Sequence, residues 1–319
     1  MRPTTTTSLW LAALLACAAP LPSTAHDGPE HEIEELTERM KKKGESAELL
    51  TERAVQYRVL GKLPEATKDL ERAAALDASS PDIHRELGRV LLLGGKHSDA
   101  LASVARGLRL KAEEPTDTAS LHMLRAEILR SQDENQKALE DCNLALALHT
   151  KNPEWYLLRS DIQKRLKAHE ERLAGIEAGL KETGAGVLEI ERVEALLDLG
   201  RFDAALSTID GELEDSRIKS SWLIRRARAL LGLGRKPEAD ANLKQALEEI
   251  ATRLNPKKPE ASLLLDKALA HELLAEKKDA LRAYEEARDK GATEAVSDKI
   301  KALQEPTSGV TPSTSGAKP

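Results

Sequence analysis

Aromatic side chains are almost missing from this chain: 3 Trp, 3 Tyr and 1 Phe in 319 residues. So few rings exclude an aromatic-centred core and a stacking platform for single-stranded nucleic acid. Cysteine is equally scarce, with only Cys17 and Cys142 present. Once Cys17 is set aside with the leader described below, a lone thiol remains and no internal disulfide can form. The chemical motifs of common enzymes are missing too. There is no Gly-x4-Gly-Lys loop to cradle phosphates, no His-Glu-x-x-His pair and no Cys-x-x-Cys. No stretch has the ~20 apolar residues that a membrane-crossing helix requires. A formal net charge of −6 opposes a nucleic-acid partner. These absences predict a chain that is not an enzyme and needs no cofactor.

What is present is charge and aliphatic carbon. Charged residues make up 32% and hydrophobic ones 40%, with Ala and Leu prominent, a mixture suited to long amphipathic helices. The N-terminus is different. Arg2, a Thr run, the apolar stretch Leu9 to Ala19 and then Pro20-Leu21-Pro22-Ser23-Thr24-Ala25 describe a secretory leader over residues 1–25, with cleavage after Ala25. The mature chain is then exported, to the periplasm or the exterior. Leu14-Leu15-Ala16-Cys17 supports a second reading, in which Cys17 is acylated and anchors the chain to a membrane as a lipoprotein.

From about residue 45 the sequence repeats. The clearest copies run Gly61-Lys-Leu-Pro-Glu-Ala66-Thr-Lys-Asp-Leu70-Glu-Arg-Ala73 and Gly234-Arg-Lys-Pro-Glu-Ala239-Asp-Ala-Asn-Leu243-Lys-Gln-Ala246. A recurring alanine falls at Ala66, Ala100, Ala138, Ala205, Ala239 and Ala280, with Arg172 in its place once, at a period near 34 residues. A second small residue precedes each of Ala66, Ala100, Ala138, Arg172, Ala239 and Ala280, at Ala54, Gly88, Ala126, Ser160, Ala227 and Ala268. Small residues at these points let two helices approach closely. Gly61, Gly95, Gly200 and Gly234 can take the left-handed conformation that closes the first helix. Leu70, Val104, Ile209, Leu243 and Tyr284 fill the space between helices. No pair can bury its apolar face alone, so neighbours must stack.

This pattern resembles the tetratricopeptide repeat family. The resemblance implies an all-α, right-handed superhelical solenoid of antiparallel helix pairs. About seven pairs are expected within residues 45–304, with a capping helix closing the C-terminal end. A short leading helix carrying Ile33, Leu36 and Met40 is expected within 26–44, and 305–319 is expected to be a disordered tail. The fourth unit, with Arg172 for alanine and with Gly175, Gly179, Gly184 and Gly186, is expected to be loose or distorted.

The resemblance also implies a function: protein binding, with first helices lining a concave groove that holds a peptide or partner helix. Placed on the repeat, Arg58, Arg85, Arg89, Arg130, Lys164, Arg165 and Arg228 face that groove. An aliphatic row of Met123, Leu157, Ile190, Ile224 and Leu265 runs beside them. Such a face would steer an acidic protein segment. The family's carboxylate-gripping Lys–Asn set has no Asn here. Arg53 and Arg125 each lie 16 residues before an aspartate, Asp69 and Asp141, and are expected to pair with it across the two helices. His26 and His31 offer a minor metal-handling reading; the remaining histidines have no ligand spacing, and no metal site is expected. Cys142 sits at a packing position equivalent to Leu70 and is expected to be a buried, inert thiol.

Overall fold

The computed structural model describes residues 28–305, which are helices joined by turns, with no strand among the described residues. The leader, Cys17, His26 and the tail from residue 306 lie outside the described residues. Two compact units divide the chain, one up to Ala112 and one from Glu113. The first contains α1 (Pro29–Lys43), the pair α2 (Ala47–Val59) and α3 (Leu63–Leu76), and the pair α4 (Pro81–Leu93) and α5 (His97–Gly107). The second contains five pairs: α6 (Pro115–Ser131) with α7 (Asn135–Leu148), α8 (Pro153–Arg165) with α9 (His169–Thr183), α10 (Val187–Asp198) with α11 (Phe202–Asp215), α12 (Ser220–Gly232) with α13 (Lys236–Arg253), and α14 (Ala261–Leu273) with α15 (Lys277–Asp289). It closes with α16 (Thr293–Gln304).

The turn inside each pair has one geometry. A residue with positive φ sits in it: Gly61, Gly95, Gly200 and Gly234 as the sequence predicts, and Asp133, Lys167 and Ala275 in the other three. The next N–H reaches back five residues to a carbonyl, Lys62 to Tyr57 at 2.8 Å and Glu276 to His271 at 2.9 Å. This is the Schellman closure, which satisfies carbonyls left open at a helix end. Local sequence also sets several starts. Pro81, Pro115 and Pro153 open α4, α6 and α8, where their missing N–H costs nothing. Ser46 and Asn152 cap α2 and α8 through their side-chain oxygens.

The small residues do what sterics requires. Ala66, Ala100, Ala138, Ala205, Ala239 and Ala280 are all fully buried, as are Ala54, Ala126, Ser160, Ala227 and Ala268. Leu70, Val104, Cys142, Ile209 and Leu243 fill the adjoining space with no exposure. Burial pushes the Cys142 thiol up to about 12, which keeps it protonated and inert at neutral pH. The Arg53 guanidinium meets Asp69 at 2.7 and 2.8 Å, and Arg125 meets Asp141 at 2.7 and 2.6 Å, both as paired forks. The same 16-residue offset recurs in three further pairs without a carboxylate at the second position: Arg159 donates to the Gly175 carbonyl, Arg192 to Thr208 and Arg226 to Asn242, although Arg226 also pairs with Asp210 of α11 at 2.7 Å. Burial with no opposing carboxylate pulls the Arg159 guanidinium below its ordinary value.

The fourth pair corrects the expectation of looseness. Arg172 is 1% exposed, a buried cation that no spacing in the sequence announces. Its guanidinium donates to Ser160 Oγ at 2.9 Å, to Asp198 Oδ2 at 2.6 Å and to Glu191 Oε1. Burial works to lower its pKa, but Glu191 and Asp198 outweigh this and raise it. Both carboxylates sit on α10, so this side chain ties α9 to the next pair. The glycines of α9 have a packing role as well. A Cβ on Gly179 would lie 2.7 Å from the Tyr156 ring, and one on Gly175 would lie 2.7 Å from Arg159 Nη2. They admit large partners where the other pairs bring small ones.

Two predictions follow from these features. Replacing Ala275 by Gly removes a left-handed L-residue that costs about 1–2 kcal/mol while adding about 0.5–1 kcal/mol of backbone entropy; urea unfolding should show a gain of a few tenths to about 1 kcal/mol, and a loss would refute the strain. Arg172→Ala strands the two α10 carboxylates beside a void and should lower stability by about 3 kcal/mol. Arg172→Met combined with Glu191→Leu should recover most of that loss, so an unchanged urea midpoint in Arg172→Ala would remove the bridge from the account.

Candidate functional site

The first helices of the pairs carry every residue predicted to bind a partner, and the structure places each of them. The basic residues are not free. Arg58 Nε lies 3.4 Å from Glu86 Oε2, Arg85 lies 2.9 Å from Asp82 and 3.6 Å from Glu86, and Arg89 lies 3.6 Å from Glu86. In the second unit Arg130 and Arg165 share Asp161 at 3.2 and 3.1 Å. Lys164 lies 3.8 Å from Asp198, and Arg228 pairs with Glu194 at 2.7 Å, a carboxylate that Arg225 also meets at 2.9 Å. Five carboxylates thus meet the seven cations assigned to the face. Several of these pairs join one helix pair to the next: Arg58 of α2 to Glu86 of α4, Arg130 of α6 to Asp161 of α8, and Arg228 of α12 to Glu194 of α10. Their first effect is to fix the stacking register. These pairs reduce the positive charge of the face without cancelling it, so the field available to steer an acidic partner is weaker than the residue count suggests.

The aliphatic row is part of the packing. Met123 is 5% and Ile224 2% exposed, while Leu157, Ile190 and Leu265 are half-buried. Leu157 packs beside Tyr156 and Leu188, Ile190 against the core around Val193 and Trp222, and Leu265 against Tyr284 and Val296. Repeat position alone does not separate a groove residue from one seated between neighbouring pairs.

What the sequence reading missed is acidic. Two adjoining concavities in the first unit, of about 310 and 370 Å³, share Glu52 and Val55 of α2. The smaller lies between α1 and α2 and includes Glu32, Glu35 and Leu36; the larger lies between α2 and α4 and includes Glu48, Asp82, Ile83 and Glu86. A signal was present. Glu32 and Glu35, Glu48 and Glu52, and Asp82 and Glu86 each stand three or four residues apart, on one helix face.

Histidines resolve individually. His122 Nδ1 lies 2.7 Å from Asp141, and the His149 ring meets Trp155 edge-on. His271 Nδ1 lies 2.6 Å from Glu276, and with Asp279 these ligand atoms fall within 4.8 Å of one another. Those three residues could approach an ion, yet Asp279 is already held by Arg282 and Glu276 by His271. No helix among the described residues is long and apolar enough to cross a membrane.

Comparison with known proteins agrees with this geometry. Residues 51–115, spanning α3, α4 and α5, match the tetratricopeptide repeat family. A tetratricopeptide repeat protein from Parabacteroides merdae superposes with a TM-score of 0.60 at 17% identity, covering 86% of this chain and 98% of that one. The Cut9–Hcn1 hetero-tetramer of the APC/C contains a chain similar at a TM-score of 0.54 and 12% identity, covering 87% of this chain and 46% of that one. By sequence, the U-box domain-containing protein 70 of Oryza sativa subsp. japonica is 26% identical over 61% of this chain, and the match spans 28% of the rice protein. Proteins of this fold are generally protein–protein interaction scaffolds and typically non-catalytic. With helix pairs closed by one repeated turn and small residues at each contact, the described residues have the tetratricopeptide repeat fold, and residues 51–115 match that family's model.

Proposed function

We propose that this chain is a non-catalytic scaffold of the bacterial cell envelope, exported by its N-terminal leader, which holds a segment of a partner protein against its first helices. The observation that carries the reading is the 370 Å³ concavity walled by the first helices α2 and α4, with half-buried Thr51 and Val55 on its side and Ile83 beneath. Such a recess gives a partner side chain a place to be desolvated, the ordinary anchor of a peptide interface. Leu14-Leu15-Ala16-Cys17 supports a second reading of the same scaffold as a lipid-anchored accessory factor for an envelope complex.

Two measurements test this. Val55→Trp fills the recess without touching a buried position, and it should weaken retention of the partner co-purifying from the native source by about tenfold or more; a partner retained equally well, or none retained by the unmodified protein, would count against the site. Intact mass of the mature protein separates the two anchoring states. A chain beginning at His26 fits the exported scaffold, whereas a diacylated Cys17 at the N-terminus fits the anchored one.

A further inference from the structure

We propose that the cleft formed by α1, α2 and α4 receives an extended polypeptide segment carrying at least two Lys or Arg side chains around a small aliphatic residue. The proposal rests on the scaffold reading and narrows it to one partner chemistry. Seven carboxylates line the two joined concavities: Glu32, Glu35, Glu48, Glu52, Asp77 and Asp82 on the walls and Glu86 at the floor. Two guanidiniums line them, Arg39 and Arg85, and no lysine does. Counting Arg58 and Arg89, which reach Glu86 from beyond the lining, still leaves the carboxylates in excess.

Pairing within the cleft is uneven. Glu52 and Asp82 have partners in Arg39 and Arg85, at 3.6 and 2.9 Å. Glu32, Glu35 and Glu48 are exposed and make no ion pair among the described residues. Glu86 is 7% exposed, yet its Oε2 accepts no hydrogen bond, the nearest guanidinium nitrogen standing 3.4 Å away. Arg58, Arg85 and Arg89 hold this carboxylate from within the protein at 3.4 to 3.6 Å, so the charge open to a partner is that of Glu32, Glu35 and Glu48 on the walls.

The spacing of the charges selects the kind of cation. Among the described residues the one group of three His, Cys, Asp or Glu ligand atoms close enough to share an ion is His271, Glu276 and Asp279, far along the sequence from this cleft. The cleft carboxylates are spread over three helices and do not converge. Charges strung along a cleft suit a chain of separate cations, as in a Lys- or Arg-bearing strand, better than one metal ion. Between them Val55, Leu36 and Ile83 supply apolar surface that an aliphatic side chain can cover.

The test uses the full mature chain and two labelled nonapeptides, one alternating lysine with leucine and one alternating glutamate with leucine, followed by fluorescence anisotropy. The lysine peptide should bind about tenfold or more tightly than the glutamate peptide, and should weaken as salt is raised. Glu48→Lys with Glu52→Lys, both at exposed positions, should abolish that preference. Glu35→Gln with Glu48→Gln should reduce it, and circular dichroism should report an unchanged fold in both variants. Equal binding of the two peptides, binding of neither, or indifference to the Glu48/Glu52 reversal overturns the proposal. Dimerisation of the free chain that the same reversal abolishes would overturn it also, by assigning the cleft to a second copy. If the peptides fail while the native partner still depends on Val55, the scaffold reading stands and only its cationic segment falls. If the lysine peptide binds and no native partner does, the scaffold reading falls and the cleft's preference remains.

Discussion

Each helix hairpin in this chain has more apolar surface than its own two helices can cover. Burial is worth roughly 25 cal/mol per Å² of apolar surface, so the remainder is hidden only when hairpins lie side by side. Close approach then becomes the governing condition, and it explains why the contacts fall on alanine. Ala66, Ala100, Ala138, Ala205, Ala239 and Ala280 are fully buried because nothing larger would let the helix axes draw near enough for Leu70, Val104, Ile209 and Leu243 to fill the gap. The scarcity of aromatic residues belongs to the same account, since a thin layer between closely set helices has little room for rings.

Departures from the small-residue rule show how far the packing can bend. In the fourth pair a guanidinium occupies the alanine position, and the chain meets its charge with Glu191 and Asp198 on α10, while Gly175 and Gly179 make room for Arg159 and Tyr156. A buried cation tolerates such a place only when carboxylates and hydrogen bonds satisfy it, which makes the position specific where an alanine would be permissive. The same economy of charge runs over the first helices. Arg58 with Glu86, Arg130 with Asp161 and Arg228 with Glu194 set one pair's register on its neighbour, so much of the surface charge serves the array before it can serve a ligand.

That use of charge changes where a partner is sought. The basic row read from the repeat is partly engaged within the fold, whereas the acidic cleft of the first unit keeps carboxylates unpaired and contains a recess. Counting charges along a helix face could not separate the two cases. Which carboxylate neutralises which guanidinium depends on the rotation of one hairpin against the next, and no residue spacing reports that rotation.

The sequence by itself determined the helix pairs and their closing turns at Gly61, Gly95, Gly200 and Gly234. It also determined the burial of the small residues and the pairing of Arg53 with Asp69 and of Arg125 with Asp141. These are local consequences of side-chain size, backbone freedom and a fixed 16-residue offset across one hairpin. It did not reveal the left-handed turns at Asp133, Lys167 and Ala275, where an L-residue is held in a strained conformation by the helices on either side. Nor did it reveal the Arg172 bridge, the withdrawal of Met123 and Ile224 into the packing, or the acidic cleft. Those were decided by tertiary structure, because each depends on atoms from different hairpins meeting at hydrogen-bonding or van der Waals distance, and a sequence records order along the chain but not distance across it.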